Sequence, residues 1–150
     1  MSEHLSGVLV EIGRPTGFSQ VVTIWPYGSR HVGQDGRVWT VADPAALAAD
    51  INRSGALIPI DFEGGGEAAG VVRRLDVFGQ SLVGFVEWNA TGYAALAGGS
   101  YRYFSPEFLY RMGQDGRVIE GLVSLSLVHP CRFDGRVANR ATGRATARRS

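Results

Sequence analysis

Short stretches in which apolar and polar residues alternate run along most of the chain, and glycine-containing segments separate them. Alternation with a period of two is typical of β-strands, and 21 glycines among 150 residues favour many turns over long helices. The pattern predicts strands over residues 8–12, 21–25, 56–60, 69–77, 82–88, 101–111 and 118–128. The strands at 69–77 and 82–88 are expected to form a hairpin.

The hexapeptide Gly-Gln-Asp-Gly-Arg-Val occurs twice, at residues 33–38 and 113–118. An Asp-Gly dipeptide supplies the positive φ of a tight hairpin turn. Each copy therefore predicts a hairpin whose second strand begins at Arg37 or at Arg117. Two short copies do not indicate a repeat protein, because solenoids need at least three units of about 20 residues or more.

Two helices interrupt the strands. The first is predicted over residues 42–52, because Asp43 is a strong N-cap. The second is predicted over residues 91–97, with Asn89 or Thr91 as its cap. Strands outnumber helices, and neither helix stands in a regular alternation with strands. The predicted fold class is mainly β: a β-barrel or a strongly bent, mostly antiparallel sheet with one or two short covering helices.

The charge distribution divides the chain into a domain and a tail. Residues 1–134 have the composition of one β domain, whereas residues 135–150 contain five arginines and no acidic residue. No large apolar residue follows Val137, so the tail is predicted to be flexible. Its arginines could make weak, sequence-independent contacts with nucleic acid, or they could simply keep the chain soluble.

Several classes of protein are excluded by residues that the sequence lacks. A single cysteine, Cys131, cannot form an intramolecular disulfide or a zinc ribbon, and we expect neither a metal nor another cofactor. The glycines at residues 64–66 have neither the spacing of a dinucleotide fingerprint nor the lysine of a phosphate-binding loop. No apolar run approaches the roughly 20 residues of a membrane span, so we expect no membrane contact and a cytoplasmic location.

Asp61 and Glu63 are the first candidates for chemistry, because they directly follow a predicted apolar strand. If the strand continues, two residues that are two apart point to the same face. Paired carboxylates can orient a base or bind a metal, and each can raise the pKa of the other. A solvated strand end would show the same two residues.

Ser105 lies in an unusual segment, Tyr-Arg-Tyr-Phe-Ser-Pro-Glu-Phe at residues 101–108. A serine at a conformational break can be a nucleophile if a base lies within hydrogen-bond reach, although serine before proline is more often a turn residue. His129 follows an apolar run and could face a cleft at a strand end. His31 and His4 are weaker candidates in a predicted loop and terminus.

In their order and spacing, these segments resemble the Mu-type prophage I protein family, proteases that process scaffold and capsid proteins during head assembly. The resemblance covers about residues 28–130. Its motifs are Asp-Gly-Arg-Val-Trp at 35–39, the helix at Asp43, Pro-Ile-Asp-Phe-Glu at 59–63, Ala-Ala-Gly at 68–70, Val-Glu-Trp at 86–88 with Gly92, the segment at 101–108, and an apolar strand that ends at Pro130.

The resemblance implies a Ser–His peptidase on a β-barrel related to herpesvirus and other prohead proteases, so residues 1–134 would be a protease-like domain. Ser105 matches the family's serine, and Asp61 and Glu63 match its carboxylates. Gly64 stands where the family has histidine, and glycine can neither accept the serine proton nor return it.

Two hypotheses about function follow from the resemblance. One is a serine endopeptidase inside a procapsid, with His129 or His31 in place of the missing base. The other is a catalytically inactive relative that keeps the barrel as a binding or assembly module in the capsid. Either implies phage scaffold and major capsid proteins as partners and a location in the host cytoplasm within the procapsid. A homo-oligomer is left open.

Overall fold

The computed structural model describes residues 2–3, 8–63 and 66–129. His4, Gly64, Cys131 and the predicted tail at 135–150 lie outside these residues. The described part contains ten strands and two helices: β1 Ser2–Glu3, β2 Val10–Glu11, β3 Ser19–Trp25, β4 Arg30–Val32, β5 Val38–Thr40, α1 Pro44–Arg53, β6 Ile58–Phe62, β7 Ala68–Phe78, β8 Ser81–Trp88, α2 Ala90–Ala97, β9 Tyr103–Met112 and β10 Arg117–Val128.

The strands form one sheet that curls into a nearly closed barrel. Its main order is β1-β9-β10-β6-β7-β8-β3, with β2 also paired to β9 and the β4–β5 hairpin attached to β10. The chain around β2 closes the gap towards β3. Gln20 Nε2 donates a hydrogen bond to the Gly13 carbonyl at 3.3 Å, and Tyr27 Oη donates one to the Leu9 carbonyl at 3.1 Å. The predicted fold class, a mainly β barrel or strongly bent sheet with one or two short covering helices, is confirmed.

Strand β10 departs from the antiparallel pattern that the sequence predicts. Along one edge it pairs antiparallel with β9. It also pairs in parallel with β5, near its own start, and with β6, near its end. β5 and β6 therefore lie one after the other along the edge of β10 that faces away from β9, and α1 connects them. The sequence pattern did not predict this strand–helix–strand unit.

Both helices begin at the side chains that the sequence indicates. Asp43 Oδ1 accepts a hydrogen bond from the Ala46 amide at 3.2 Å at the start of α1. Asn89 Oδ1 accepts one from the Gly92 amide at 2.8 Å, so Asn89 and not Thr91 caps α2. Each helix packs against β7. None of the helices in the described ranges is long and apolar enough to cross a membrane.

The two hexapeptide copies form the two predicted hairpin turns, and the strands that follow them meet. Trp39 of β5 is in register with Arg117 of β10. The two turns approach so closely that a Cβ on Gly116 would lie 2.7 Å from the Val38 carbonyl oxygen. The repeat therefore builds one end of the barrel from two copies of the same turn.

The hydrophobic core lies on one face of the strands that surround β10. Large side chains on that face are at most 2% exposed, and they are Ile60, Phe104, Phe108, Leu125 and Leu127. Successive residues of a strand point to opposite faces. The residues between these core positions therefore face away from the core, and three of them are polar: Asp61, Ser105 and Ser126.

Candidate functional site

Three polar residues lie side by side on adjacent strands and form what we call the polar row: Ser105 on β9, Ser126 on β10 and Asp61 on β6. Ser126 is the register partner of Ser105 and also of Asp61. Partners that face each other across a strand pair project to the same side of the sheet. Ser126 Oγ donates a hydrogen bond to Asp61 Oδ1 at 2.7 Å. The row thus places a candidate nucleophile, a second hydroxyl and a carboxylate on three adjacent strands.

A second hydroxyl–carboxylate pair lies beside the polar row. Ser124 and Glu107 are register partners on β10 and β9, and Ser124 Oγ donates to Glu107 Oε1 at 3.2 Å. Ser124 is two residues from Ser126 on β10, and Glu107 is two residues from Ser105 on β9. This pair therefore projects to the same face of the sheet as the polar row. Hydrogen bonds to a carboxylate are stronger than those between neutral groups, and both pairs fix a serine hydroxyl in one orientation.

The serine side chains of this face are largely removed from solvent. Ser105 is 5% exposed and Ser126 is 6% exposed, and Asp61 is half-buried. Buried hydroxyl groups almost always have hydrogen-bond partners, and the Asp61 carboxylate fulfils that requirement for Ser126. The row is therefore held in place before any ligand binds.

The local sequence explains why Ser105 is held in a strand rather than in a turn. Pro106 disfavours helical geometry at Ser105 and so keeps it extended. Proline has no amide hydrogen for a strand ladder. Two short strands pair with the edge of β9 that faces away from β10. β2 pairs there with Tyr103 and Phe104, and β1 pairs with Phe108 and Leu109. Pro106 lies between these two groups.

Glu63 lies in the turn that directly follows β6. Its amide donates to the Leu127 carbonyl at 2.9 Å, which extends the pairing of β6 with β10 by one residue. Glu63 is therefore only about 7 Å of strand beyond Asp61. The structure thus places both predicted carboxylates beside the last residues of β10, whereas Gly64 lies outside the described residues.

His129 lies at the end of β10 and is exposed. Its ring packs edge-on against Tyr101, with centroids 5.3 Å apart, and Tyr101 packs edge-on against Phe62 at 5.1 Å. His129 comes three residues after Ser126, which corresponds to about 10 Å along the strand. The structure therefore brings His129 to the same end of the barrel as Glu63, but beyond the register position of Ser105.

His31 is far from the polar row. It stacks on Tyr27, with ring centroids 3.5 Å apart, and it is the register partner of Trp39, which pairs with the start of β10. Nine residues of β10 separate that point from Ser126, or about 30 Å of strand. Burial lowers the pKa of His31. Its position excludes a direct contact with Ser105.

Metal ligation is not supported in the part of the chain that the structure describes. Within residues 2–3, 8–63 and 66–129, no group of three or more His, Cys, Asp or Glu side chains could hold a metal ion. The carboxylates of this face are instead engaged by serine hydroxyls.

The comparisons with known proteins identify the family. The family model for the Mu-like prophage I protein, N-terminal domain, matches residues 22–138. The chain belongs to this family. The match confirms the resemblance and extends it slightly beyond both ends of residues 28–130. No curated protein matches the sequence. Among solved structures, the bacteriophage T4 capsid assembly protease is similar, with a TM-score of 0.45 and 9% identity over 85% of this chain and 94% of that chain.

Sequence reasoning missed Ser126, Ser124 and Glu107. A signal for the two serines was present, since they alternate with Leu125 and Leu127 in a strand that otherwise reads as an apolar run. Such alternation indicates that the strand has a polar face. It does not show that Asp61 lies opposite Ser126, because that contact depends on the parallel pairing of β10 with β6.

Proposed function

We propose that this chain acts in phage head assembly as a serine-type protease domain that processes scaffold and major capsid proteins, with Ser105 as the nucleophile. The observation that carries the proposal is the polar row, in which Ser105 faces Ser126 and Ser126 donates to Asp61. Membership of the Mu-like prophage I family supports the head-assembly context. The protease-like domain would comprise residues 1–134, and the flexible arginine-rich tail residues 135–150.

The nucleophile needs a base, and the described residues offer two routes to one. Serine at its ordinary pKa is a weak nucleophile unless a group nearby accepts its proton. His129 is the first route, provided that its ring turns from Tyr101 towards the polar row, and Glu63 at the same strand end would orient it. Asp61 is the second, through the row itself. Both routes predict slow cleavage, because His129 must first leave Tyr101 and because a carboxylate is a poorer base for a hydroxyl than an imidazole is.

A catalytically inactive assembly module is the second candidate. It is favoured by the 5% exposure of Ser105, which limits the approach of a peptide carbonyl, and by glycine at the family's histidine position. In that case the barrel would bind scaffold or capsid proteins in the procapsid without cutting them.

Peptide cleavage by the full chain tests the proposal. Wild type, Ser105→Ala and Ser124→Ala are incubated with overlapping scaffold-derived and capsid-derived peptides, and products are identified by mass spectrometry. Ser124→Ala is the matched control, because Ser124 is also a buried serine bonded to a carboxylate but has Glu107 rather than Ser105 opposite. We expect slow cleavage that Ser105→Ala abolishes and Ser124→Ala retains.

Two results would change the conclusion. Equal cleavage by wild type and Ser105→Ala would exclude Ser105 as the nucleophile. Binding of the peptides without cleavage by any variant would support the inactive assembly module instead.

A further inference from the structure

Ser126 holds the middle position of the polar row. Its hydroxyl is 2.7 Å from Asp61 Oδ1, and its register partner on the other side is Ser105. Directly opposite residues of an antiparallel pair have Cβ atoms about 4.5–5.5 Å apart, which is close enough for two serine hydroxyls to meet. A proton that leaves Ser105 towards Asp61 must therefore pass the Ser126 hydroxyl.

The hydrogen bond to Asp61 also fixes what Ser126 presents to Ser105. A serine hydroxyl has one proton to donate and two lone pairs that accept. The proton of Ser126 is directed at Asp61, so the lone pairs of Ser126 Oγ remain for a donor such as the Ser105 hydroxyl. The Ser126 hydroxyl is thus polarised towards the Asp61 carboxylate.

We infer that Ser126 is a positioning residue that takes up the Ser105 proton while passing its own proton to Asp61, and so replaces the histidine that the family has at Gly64. The inference rests on the proposed function, because it takes Ser105 as the nucleophile. It assigns the base to Asp61 rather than to His129, which lies about 10 Å further along β10 than the register position of Ser105.

The proton transfers balance over one cycle of acylation and deacylation. Ser105 Oγ forms a bond to the substrate carbonyl carbon, and the π electron pair of the carbonyl moves onto its oxygen. The Ser105 O–H bond breaks, its proton binds Ser126 Oγ, and the former Ser126 proton binds Asp61. When the tetrahedral intermediate collapses, the C–N bond breaks and the leaving nitrogen takes a proton from Asp61 through Ser126. Water then attacks the acyl group and loses its proton along the same path, and Ser105 is released with its proton restored.

Ser124 provides an internal control for this inference. It is buried, lies on the same face of β10 and donates to a carboxylate, as Ser126 does. Its register partner is Glu107, so no serine stands opposite it. Any general effect of removing a buried hydroxyl from this strand should appear equally in Ser124→Ala and Ser126→Ala.

The test measures how fast a fluorophosphonate probe labels Ser105 in the full chain, with peptide mapping to locate the label. Wild type, Ser126→Ala, Ser126→Thr, Ser124→Ala, His129→Ala and Ser105→Ala are compared. Positioned acid–base groups contribute about 100-fold or more, so we expect labelling at least about tenfold slower in Ser126→Ala. Ser126→Thr, which keeps a hydroxyl, and Ser124→Ala should remain near wild type, and His129→Ala is included to compare His129 with Asp61 as the base.

A second measurement detects the relay itself. Two protons move together in the relay, so the wild-type labelling rate plotted against the D2O fraction should curve. A straight line in wild type would overturn the relay even if Ser126→Ala fails to fold.

The remaining outcomes separate the inference from the proposed function. Labelling of Ser105 at the same rate in wild type and Ser126→Ala, or its loss in His129→Ala alone, would overturn the relay and leave Ser105 as the nucleophile. Absence of any Ser105 labelling in wild type would refute the nucleophile assignment and the relay together.

Discussion

Asn52 of α1 hydrogen-bonds both backbone polar groups of Leu75 on β7. The Leu75 amide donates to Asn52 Oδ1 at 2.8 Å, and Asn52 Nδ2 donates to the Leu75 carbonyl at 2.8 Å. The pairing of β6 with β7 extends only as far as Val72, so the Asn52 side chain takes the place of a neighbouring strand at Leu75. These two hydrogen bonds attach α1 to the barrel shortly before β6, the strand that carries Asp61 beside β10.

Asn52→Ala should lower the free energy of unfolding by about 2 kcal/mol, because two partly buried backbone groups lose their partner. Urea denaturation at neutral pH measures the change. Asp50→Ala is the control on the same helix, since Asp50 only bonds the exposed Arg53 and such surface pairs contribute about 1 kcal/mol or less. Equal losses in the two variants would show that the contact with Leu75 does not stabilise the fold.

Gly92→Ala should destabilise the protein by about 2 kcal/mol or more, although alanine usually favours a helix. A Cβ at this position would collide with the Ala69 backbone, whose carbonyl carbon would be 2.9 Å away. The helix α2 would have to move off β7. Thermal and urea unfolding measure the loss, and Gly17→Ala, where no atom lies within 4 Å of the added Cβ, should change stability by less than about 0.5 kcal/mol. A Gly92→Ala variant as stable as wild type would contradict this packing.

Stability should fall with acidification because of His31. Burial lowers the pKa of His31 in the folded protein, whereas an unfolded histidine titrates near 6.5, so protons bind the unfolded chain more readily. The stability that neutral His31 contributes is fully present above about pH 6.5 and is lost as the pH falls through the lower folded-state pKa.

His31→Phe tests this pH dependence, because phenylalanine can keep the stack on Tyr27 but cannot titrate. Urea denaturation of wild type and variant between pH 8 and pH 5 gives the difference in unfolding free energy. We expect the wild type to lose stability relative to the variant towards the acidic end. A difference that stays constant over this range would show that His31 titrates alike in both states.

Most elements of the fold were predictable from the sequence, because their signals are local. Alternation located most of the strands, the Asp-Gly dipeptides located two hairpins, and Asp43 marked the start of α1 within one residue. The predicted strand at 8–12 is shorter in the structure, where β2 covers Val10–Glu11 and the Ile12 amide adds a hydrogen bond to the Arg102 carbonyl at 2.7 Å. That segment follows one face of the core, with Val8, Val10 and Ile12 buried, so apolar alternation extends beyond the paired residues.

The candidate site was predictable only in part, because its geometry depends on pairing between distant segments. Ser105 and Asp61 were identified by composition and family resemblance. That they flank Ser126 follows from two pairings of β10, antiparallel with β9 and parallel with β6. A sequence pattern shows which face a residue occupies, but it does not specify which strand lies next to it.

Restoring histidine at the family position should increase peptidase activity. Wild type should cleave scaffold-derived or capsid-derived peptides slowly, whereas Gly64→His should cleave at least about tenfold faster, because an imidazole is a far better base for serine than a carboxylate. The added base should also give the pH–rate profile an inflection near the ordinary histidine pKa of about 6.5.

Ser105→Ala introduced into Gly64→His is the control, and it should remove the gain, while His129→Ala in the same background should leave it. A gain that survives the loss of Ser105 would mean that the new histidine acts on another group. No gain at all, with Ser105 still reactive towards the fluorophosphonate probe, would mean that the barrel of this chain no longer holds position 64 within reach of the polar row.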